Sequence, residues 1–197
     1  MKKFPNKQKG FTLLETLVAI FILLLALNSL FTLTTNNFFA AKYAKNESTG
    51  IYLAQEAIDY IRNDRDTTAF QNHDWNTFLS HYGDSVMNTT CYSTDGCTID
   101  ASNWNLPSVS GAPLPSIANC SPDCLEFKLE ASSNFGPYYT YDNSRPATQK
   151  ATTIKRKIEL TLANSGEELQ IKVTVEWLNG QVPRSMVSRA SLLKWQN

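Results

Sequence analysis

The sequence predicts an α+β fold in which one long N-terminal helix, about residues 12–63, packs on a four-stranded antiparallel β-sheet. Three observations predict it. No proline and only one glycine, Gly50, falls between Phe11 and Asp66. The C-terminal third alternates apolar and polar residues with a period of two. Turn residues separate the alternating runs at Asn164-Ser165-Gly166-Glu167 and at Asn179-Gly180, as antiparallel hairpins require.

The chain opens with Lys2, Lys3, Lys7 and Lys9 and then enters GFTLLETLVAIFILLLAL at residues 10–27. The apolar stretch continues with few polar breaks through Leu33, long enough to cross a bilayer as one helix. It carries a single carboxylate, Glu15. A lone acid there opposes insertion by roughly 3 kcal/mol, which marks it as a functional residue. The small residue Gly10 precedes the apolar run, whereas a secretory signal places its cleavage site after a shorter one. A cut after Gly10 frees Phe11 as a new N-terminus and leaves the helix on the mature chain.

Gly10, Phe11 and Glu15 together resemble the class III leader of type IV prepilins and type II secretion pseudopilins: a short basic leader ending in Gly, then Phe, then glutamate at the fifth mature position. The resemblance implies cleavage between Gly10 and Phe11 by a membrane prepilin peptidase, N-methylation of Phe11, and assembly with other pilin subunits through the N-terminal helix, with Glu15 as the assembly residue. A simple signal anchor explains the lysines and the apolar run equally well. It explains neither Glu15 nor the Gly10-Phe11 junction.

The helix divides into a transmembrane or filament-core half, 11–35, and an amphipathic half, 36–66, behind a leader at 1–10. In the second half Ala44, Ile51, Ala54, Ile58 and Ile61 recur at helical spacing, while Glu47, Gln55, Glu56, Asp59 and Arg62 take other faces. Such a stripe should lie on a sheet. A helix of roughly 52 residues would be about 78 Å long. Gly50 weakens it locally and marks either a hinge or close packing against a neighbour. The run YLAQEAIDYIRNDRD at 52–66 also resembles the segment of pilin-like proteins where the helix leaves the globular head.

Residues 67–124 form a polar, loop-rich insert with Pro107, Pro113, Pro115 and Pro122. A connection this long calls for short elements or covalent staples. All four cysteines fall in it, as Cys91, Cys97, Cys120 and Cys124. Disulfides are the natural reading for an even count in an oxidising compartment, with three pairings open. A four-cysteine zinc site is the rival, disfavoured by the spacing. Asp95, Gly96 and Asp100 miss the calcium-loop pattern, and His73 and His81 lack a defined third partner for catalysis or metal binding.

Residues 125–197 read as the sheet. Leu125, Phe127, Leu129 and Ala131 alternate with Glu126, Lys128 and Glu130; Ile158, Leu160 and Leu162 follow the same rule, as do Leu169, Ile171, Val173, Val175 and Trp177. Each strand then has one core face and one wet face. Tyr138, Tyr139 and Tyr141 suit either a strand or a binding surface. The stretch from Ile154 through VTVEWLNG to LLKW at 192–195 resembles the C-terminal sheet of minor type IV pilins and I-type pseudopilins, which implies the type IV pilin fold.

Composition narrows the function. Removing the four leader lysines from 18 basic side chains leaves 14 against 18 acidic ones, a mature balance of −4. No basic footprint of the kind nucleic acid needs remains, so no nucleic-acid partner is expected. The one cluster, Lys155-Arg156-Lys157, sits in a strand pattern that sends Lys155 and Lys157 to solvent. No phosphate loop, nucleophile elbow or zinc-protease helix occurs, so neither enzyme activity, a metal nor a cofactor is expected. The leader lysines predict a cytoplasmic N-terminus with the head outside the membrane, then a place in an extracellular pilus or periplasmic pseudopilus. The expected function is that of a structural subunit, more minor pilin or pseudopilin than bulk subunit, because Asn28, Thr32, Thr34 and Thr35 stand where major pilins carry helix breakers. A filament-tip module for adhesion or DNA capture and a plain anchored surface domain are the alternatives.

Overall fold

The computed structural model describes residues 12–84, 90–101, 117–131, 136–141 and 147–195. The chain forms two compact units, Met1–Lys45 and Asn46–Asn197. One helix, α1, spans Leu13–Phe70 and enters both.

Local chemistry sets both ends of α1. At its start the Thr12 hydroxyl accepts from the Glu15 N–H at 3.3 Å, an N-cap that fills one of the helix's unpaired donors. At its end Asn72 takes φ +58°. The Asn72 N–H then donates to the Ala69 carbonyl at 3.0 Å and the His73 N–H to the Thr68 carbonyl at 3.1 Å. These are the two bonds of a Schellman C-cap, with asparagine in the left-handed position usually held by glycine. The helix therefore runs past the expected end near residue 63.

In the first unit every described residue is exposed, including Leu17, Ile20, Phe21, Leu24, Phe31 and Leu33. In the second unit α1 buries Gly50, Leu53, Ala54, Ala57, Ile58, Tyr60, Ile61, Asp64 and Thr68. Ile51 is 43% exposed and Ala44 is exposed as well. The buried face is rotated from the expected stripe because Leu53, Ala57 and Tyr60 pack inward instead. Gly50 resolves as close packing: a Cβ there would meet Met186 Sδ at 3.1 Å and Trp177 Cζ3 at 3.2 Å.

The sheet is antiparallel throughout and has seven strands among the described residues: β1 (Cys97–Ile99), β2 (Ile117–Asn119), β3 (Glu126–Glu130), β4 (Tyr138–Thr140), β5 (Gln149–Ala163), β6 (Glu168–Asn179) and β7 (Val182–Leu193). The four expected strands are β3, β5, β6 and β7, and three short ones join them. β5 organises the sheet. One of its edges pairs with β6 from Lys155 to Ala163. The other is shared between β3, opposite Gln149 to Lys155, and β1, where Cys97 faces Ile158. β4 extends the sheet beyond β3 and β2 beyond β1. β6 and β7 pair in unbroken register to a tight hairpin.

That hairpin corrects one detail. Asn179 pairs with Val182, so the turn residues are Gly180 and Gln181 rather than Asn179-Gly180. Of these two only Gly180 has positive φ, +69°, the pattern of a type II′ turn with glycine at its first central position. The β5–β6 connection does turn through residues 164–167, with Asn164, Ser165 and Gly166 all at positive φ.

The core lies between the buried face of α1 and one face of the sheet: Phe127, Ile154, Ile158, Leu160, Leu169, Ile171, Val173, Val175 and Trp177. A short helix, α2 (Trp75–Ser80), closes one end with Trp75, Phe78 and Leu79. Asp74 caps it, accepting from the Thr77 N–H at 2.8 Å. The Thr77 hydroxyl bond, aided by that N–H, holds the Asp74 carboxyl below its usual range.

Candidate functional site

The assembly surface expected from the sequence is the apolar half of α1. Its best window has a mean hydropathy of 2.4 and is wholly unburied. Length and composition alone make it long and apolar enough to cross a membrane. Glu15 lies in the first turn, where an acid suits the positive end of the helix dipole. Among the described residues its carboxylate has no partner; only its N–H is engaged, on Thr12. Gly10 and Phe11, the expected processing pair, lie outside the described residues.

The second unit shows how a carrier for that helix is held rigid. Arg156 is fully buried on the core face of β5, between Ile154 and Ile158. Its guanidinium donates to the Leu53 carbonyl at 2.6 Å, to Glu56 Oε2 at 2.7 Å and to the Ile99 carbonyl. It also lies 4.9 Å from the centroid of Phe127, a ring that stacks on Tyr141 at 4.2 Å. One side chain thus ties α1, β1 and β3 to the middle of β5. Lys155 and Lys157, its neighbours, sit at the margin and pair with Asp123 and Glu159. The basic triplet is a structural feature in which alternation buries the middle residue.

Other buried polar groups serve as clamps. Asp64, 3% exposed, accepts from the Tyr82 hydroxyl at 2.8 Å and faces His81 Nδ1 at 3.0 Å. Burial, with the Asp64 carboxylate beside it, pushes the Tyr82 phenol well above its usual pKa. These contacts fasten the segment after α2 to the end of α1. Asp100 accepts from the Thr140 hydroxyl at 2.8 Å and the Tyr141 N–H at 2.9 Å, and Thr148 donates to buried Glu130 at 3.0 Å. Sequence reasoning passed over Asp64, Glu130 and Arg156. Asp64 and Arg156 occupy positions whose period points inward, and that was the available signal. Glu130 lies on the face that alternation assigns to solvent, and its burial accompanies a register shift between Glu126 and Lys128 where β3 pairs with β5. His73 lies in the link between α1 and α2, and the Asp95 N–H is held by the Ser93 hydroxyl. Among the described residues no group of three His, Cys, Asp or Glu could hold a metal ion.

The cysteines pair locally, Cys91 with Cys97 and Cys120 with Cys124, which leaves no thiolate for the rival zinc site. Gly96 sits beside the first bridge at φ +68°, and a Cβ there would meet the Ile158 carbonyl at 2.6 Å. The Cys120 N–H donates to the Gly96 carbonyl at 3.1 Å. Each bridge closes a short loop within the insert, and the Cys97–Ile158 strand pair beside Gly96 holds the first of these loops against the middle of β5. Replacing Cys91 and Cys97 together by alanine should lower stability by about 2 kcal/mol, mostly by freeing the unfolded chain. Denaturant titration measures it. Non-reducing peptide mapping should recover the two pairs, and four alkylatable thiols in protein from its native compartment would contradict them.

Residues 5–27 match the prokaryotic N-terminal methylation motif. No curated protein and no solved structure matches the chain. The matched segment covers the junction of the basic leader with the bare apolar helix and includes Glu15. With a long helix packed on an antiparallel sheet behind it, the motif marks this chain as a type IV pilin- or pseudopilin-like prepilin.

Proposed function

We propose that this chain is a minor subunit of a type IV pilus or type II secretion pseudopilus. It is cleaved between Gly10 and Phe11, N-methylated on Phe11, and drawn from the membrane into the filament by its helix. The observation that carries the reading is a helix whose apolar half is exposed, with one carboxylate near its start that has no partner among the described residues. Such a helix is as well solvated by lipid as by a bundle of its own kind, so transfer between them costs little apolar burial. The minor assignment rests on helical continuity: α1 passes without proline or glycine through 13–49, so nothing weakens it where bulk subunits melt. The leader lysines favour a cytoplasmic N-terminus, and two disulfides fit an oxidising compartment for the rest.

The test is the intact mass of protein extracted from its native membrane. Loss of residues 1–10 and gain of one methyl group is expected. Gly10→Val should leave full-length precursor in the membrane, since the peptidase needs a small residue before the cut. Native protein that retains Lys2 and Lys3 would overturn the reading, and counting copies against other pilins in sheared filaments tests the minor assignment.

A further inference from the structure

The apolar half of α1 carries polar side chains besides Glu15, and all its hydroxyls are satisfied within the helix. Thr16 donates to the Leu13 carbonyl at 2.8 Å and Ser29 to the Ala26 carbonyl at 2.7 Å. Thr32 donates to the Asn28 carbonyl at 3.0 Å, Thr34 to the Leu30 carbonyl at 2.9 Å and Thr35 to the Phe31 carbonyl at 3.0 Å. Back-bonding of this kind hides a hydroxyl from lipid. The exception is Asn28. Its carboxamide has two N–H donors and a carbonyl, and none has a partner among the described residues.

Asn28 lies fifteen residues beyond Leu13, about 22 Å along the helix axis, within a hydrocarbon layer of about 30 Å. Leu30, Phe31 and Leu33 follow it, so the apolar segment continues past it. Helical side chains tilt toward the N-terminus, which aims this short amide deeper into the layer and away from the outer interface. Lipid offers no hydrogen bond there. A neighbouring helix does.

We propose that Asn28 is a helix–helix contact through which two copies of this chain pair in the membrane before assembly, each carboxamide donating to and accepting from the other. The inference rests on the membrane-inserted reading of α1. Two features commit the occupant to a second copy. A carboxamide is self-complementary, and copies inserted with the same leader and topology hold Asn28 at one depth. Leu17, Phe21, Leu24, Asn28, Phe31 and Thr35 are spaced by alternate fours and threes, the seam of a parallel helix pair in register. The run is apolar on every face, so Asn28 alone selects this seam, as a single asparagine at such a position does in soluble coiled coils. Glu15 falls off it, thirteen residues before Asn28, and remains free for a different contact.

The experiment measures self-association of the full-length chain in phosphatidylcholine–phosphatidylglycerol vesicles, by energy transfer between copies labelled through a C-terminal tag, as lipid is added. Asn28→Leu should weaken association by about 3- to 10-fold. Asn28→Gln should keep most of it, and Ser29→Ala, at the adjacent but back-bonded position, should leave it unchanged. Equal association of wild type and Asn28→Leu overturns the proposal, as does an equal loss in Ser29→Ala or no self-association in wild type. Cleavage of the same proteins by prepilin peptidase is the separate readout for the prepilin reading. Asn28→Leu should be cut like wild type, and failure of wild type to be cut would count against that reading and not against the helix pair.

Discussion

Arg156→Ala will cost the protein about 3–5 kcal/mol, the loss typical of removing one partner from a buried ionic network. The loss has three sources. The Leu53 and Ile99 carbonyls lose a charged donor, and although the Leu53 carbonyl keeps its helical bond, hydrogen bonds to a charged group are stronger than ordinary ones. Glu56 loses its cation, a smaller term because that carboxylate is 40% exposed and screened by water. The truncated stem leaves a cavity against Phe127. Arg156→Met keeps the stem and its packing, so it should lose less. Lys155→Ala removes the marginal pair with Asp123 and should change stability by less than about 1 kcal/mol. Urea titration of the full chain in detergent, followed by tryptophan fluorescence, reads all three. An Arg156→Ala midpoint indistinguishable from wild type would show that the guanidinium is dispensable.

The same residue shows where sequence reasoning stopped. Alternation placed Ile158, Leu160 and Leu162 on the core face, and Arg156 continues that series one step earlier in β5. Its charge argued for solvent, and only the three acceptors that surround it in the fold outweigh that preference. The helix end is a similar case. Asn63, Asp64, Arg65 and Asp66 read as a polar exit, yet Asp64 and Thr68 point into the second unit and tertiary contacts carry the helix to Phe70. The stop signal was present as Asn72, in a position that needs positive φ. β1 and β2 were illegible for another reason. Three-residue strands have no period to detect; β1 meets β5 at the Cys97–Ile158 pair, where Gly96 permits the close approach, and β2 pairs in turn with β1. Long strands with strict alternation were legible because burial on one face dictates them directly. The N-terminal motif was legible because lipid tolerates so few sequences that a single carboxylate within an apolar run stands out.

Glu15→Val will leave cleavage and membrane insertion intact and reduce entry into filaments by about tenfold or more. The substitution removes the roughly 3 kcal/mol that a carboxylate costs at membrane depth, so insertion improves if it changes at all. The helix survives, since the Thr12 hydroxyl bonds the N–H of residue 15 and not its side chain, and an acid in the first turn contributes well under about 1 kcal/mol. Docking is what suffers. Cleavage at Gly10 would create an ammonium on Phe11, four residues before Glu15. The N-terminus of an adjacent subunit would approach the carboxylate from the side. A carboxylate and an ammonium about 4 Å apart attract by roughly 4 kcal/mol at an effective dielectric near 20, comparable to the insertion cost. Pairing therefore offsets that cost only when the neighbour is in the right axial register, which makes specificity the main gain. Glu15→Gln, which keeps shape and polarity but not charge, should behave more like Glu15→Val than like wild type. Copy number of each variant in sheared filaments, against processed subunit in the membrane, measures the effect. Normal incorporation of Glu15→Val would show that the assembly contact lies elsewhere on the helix.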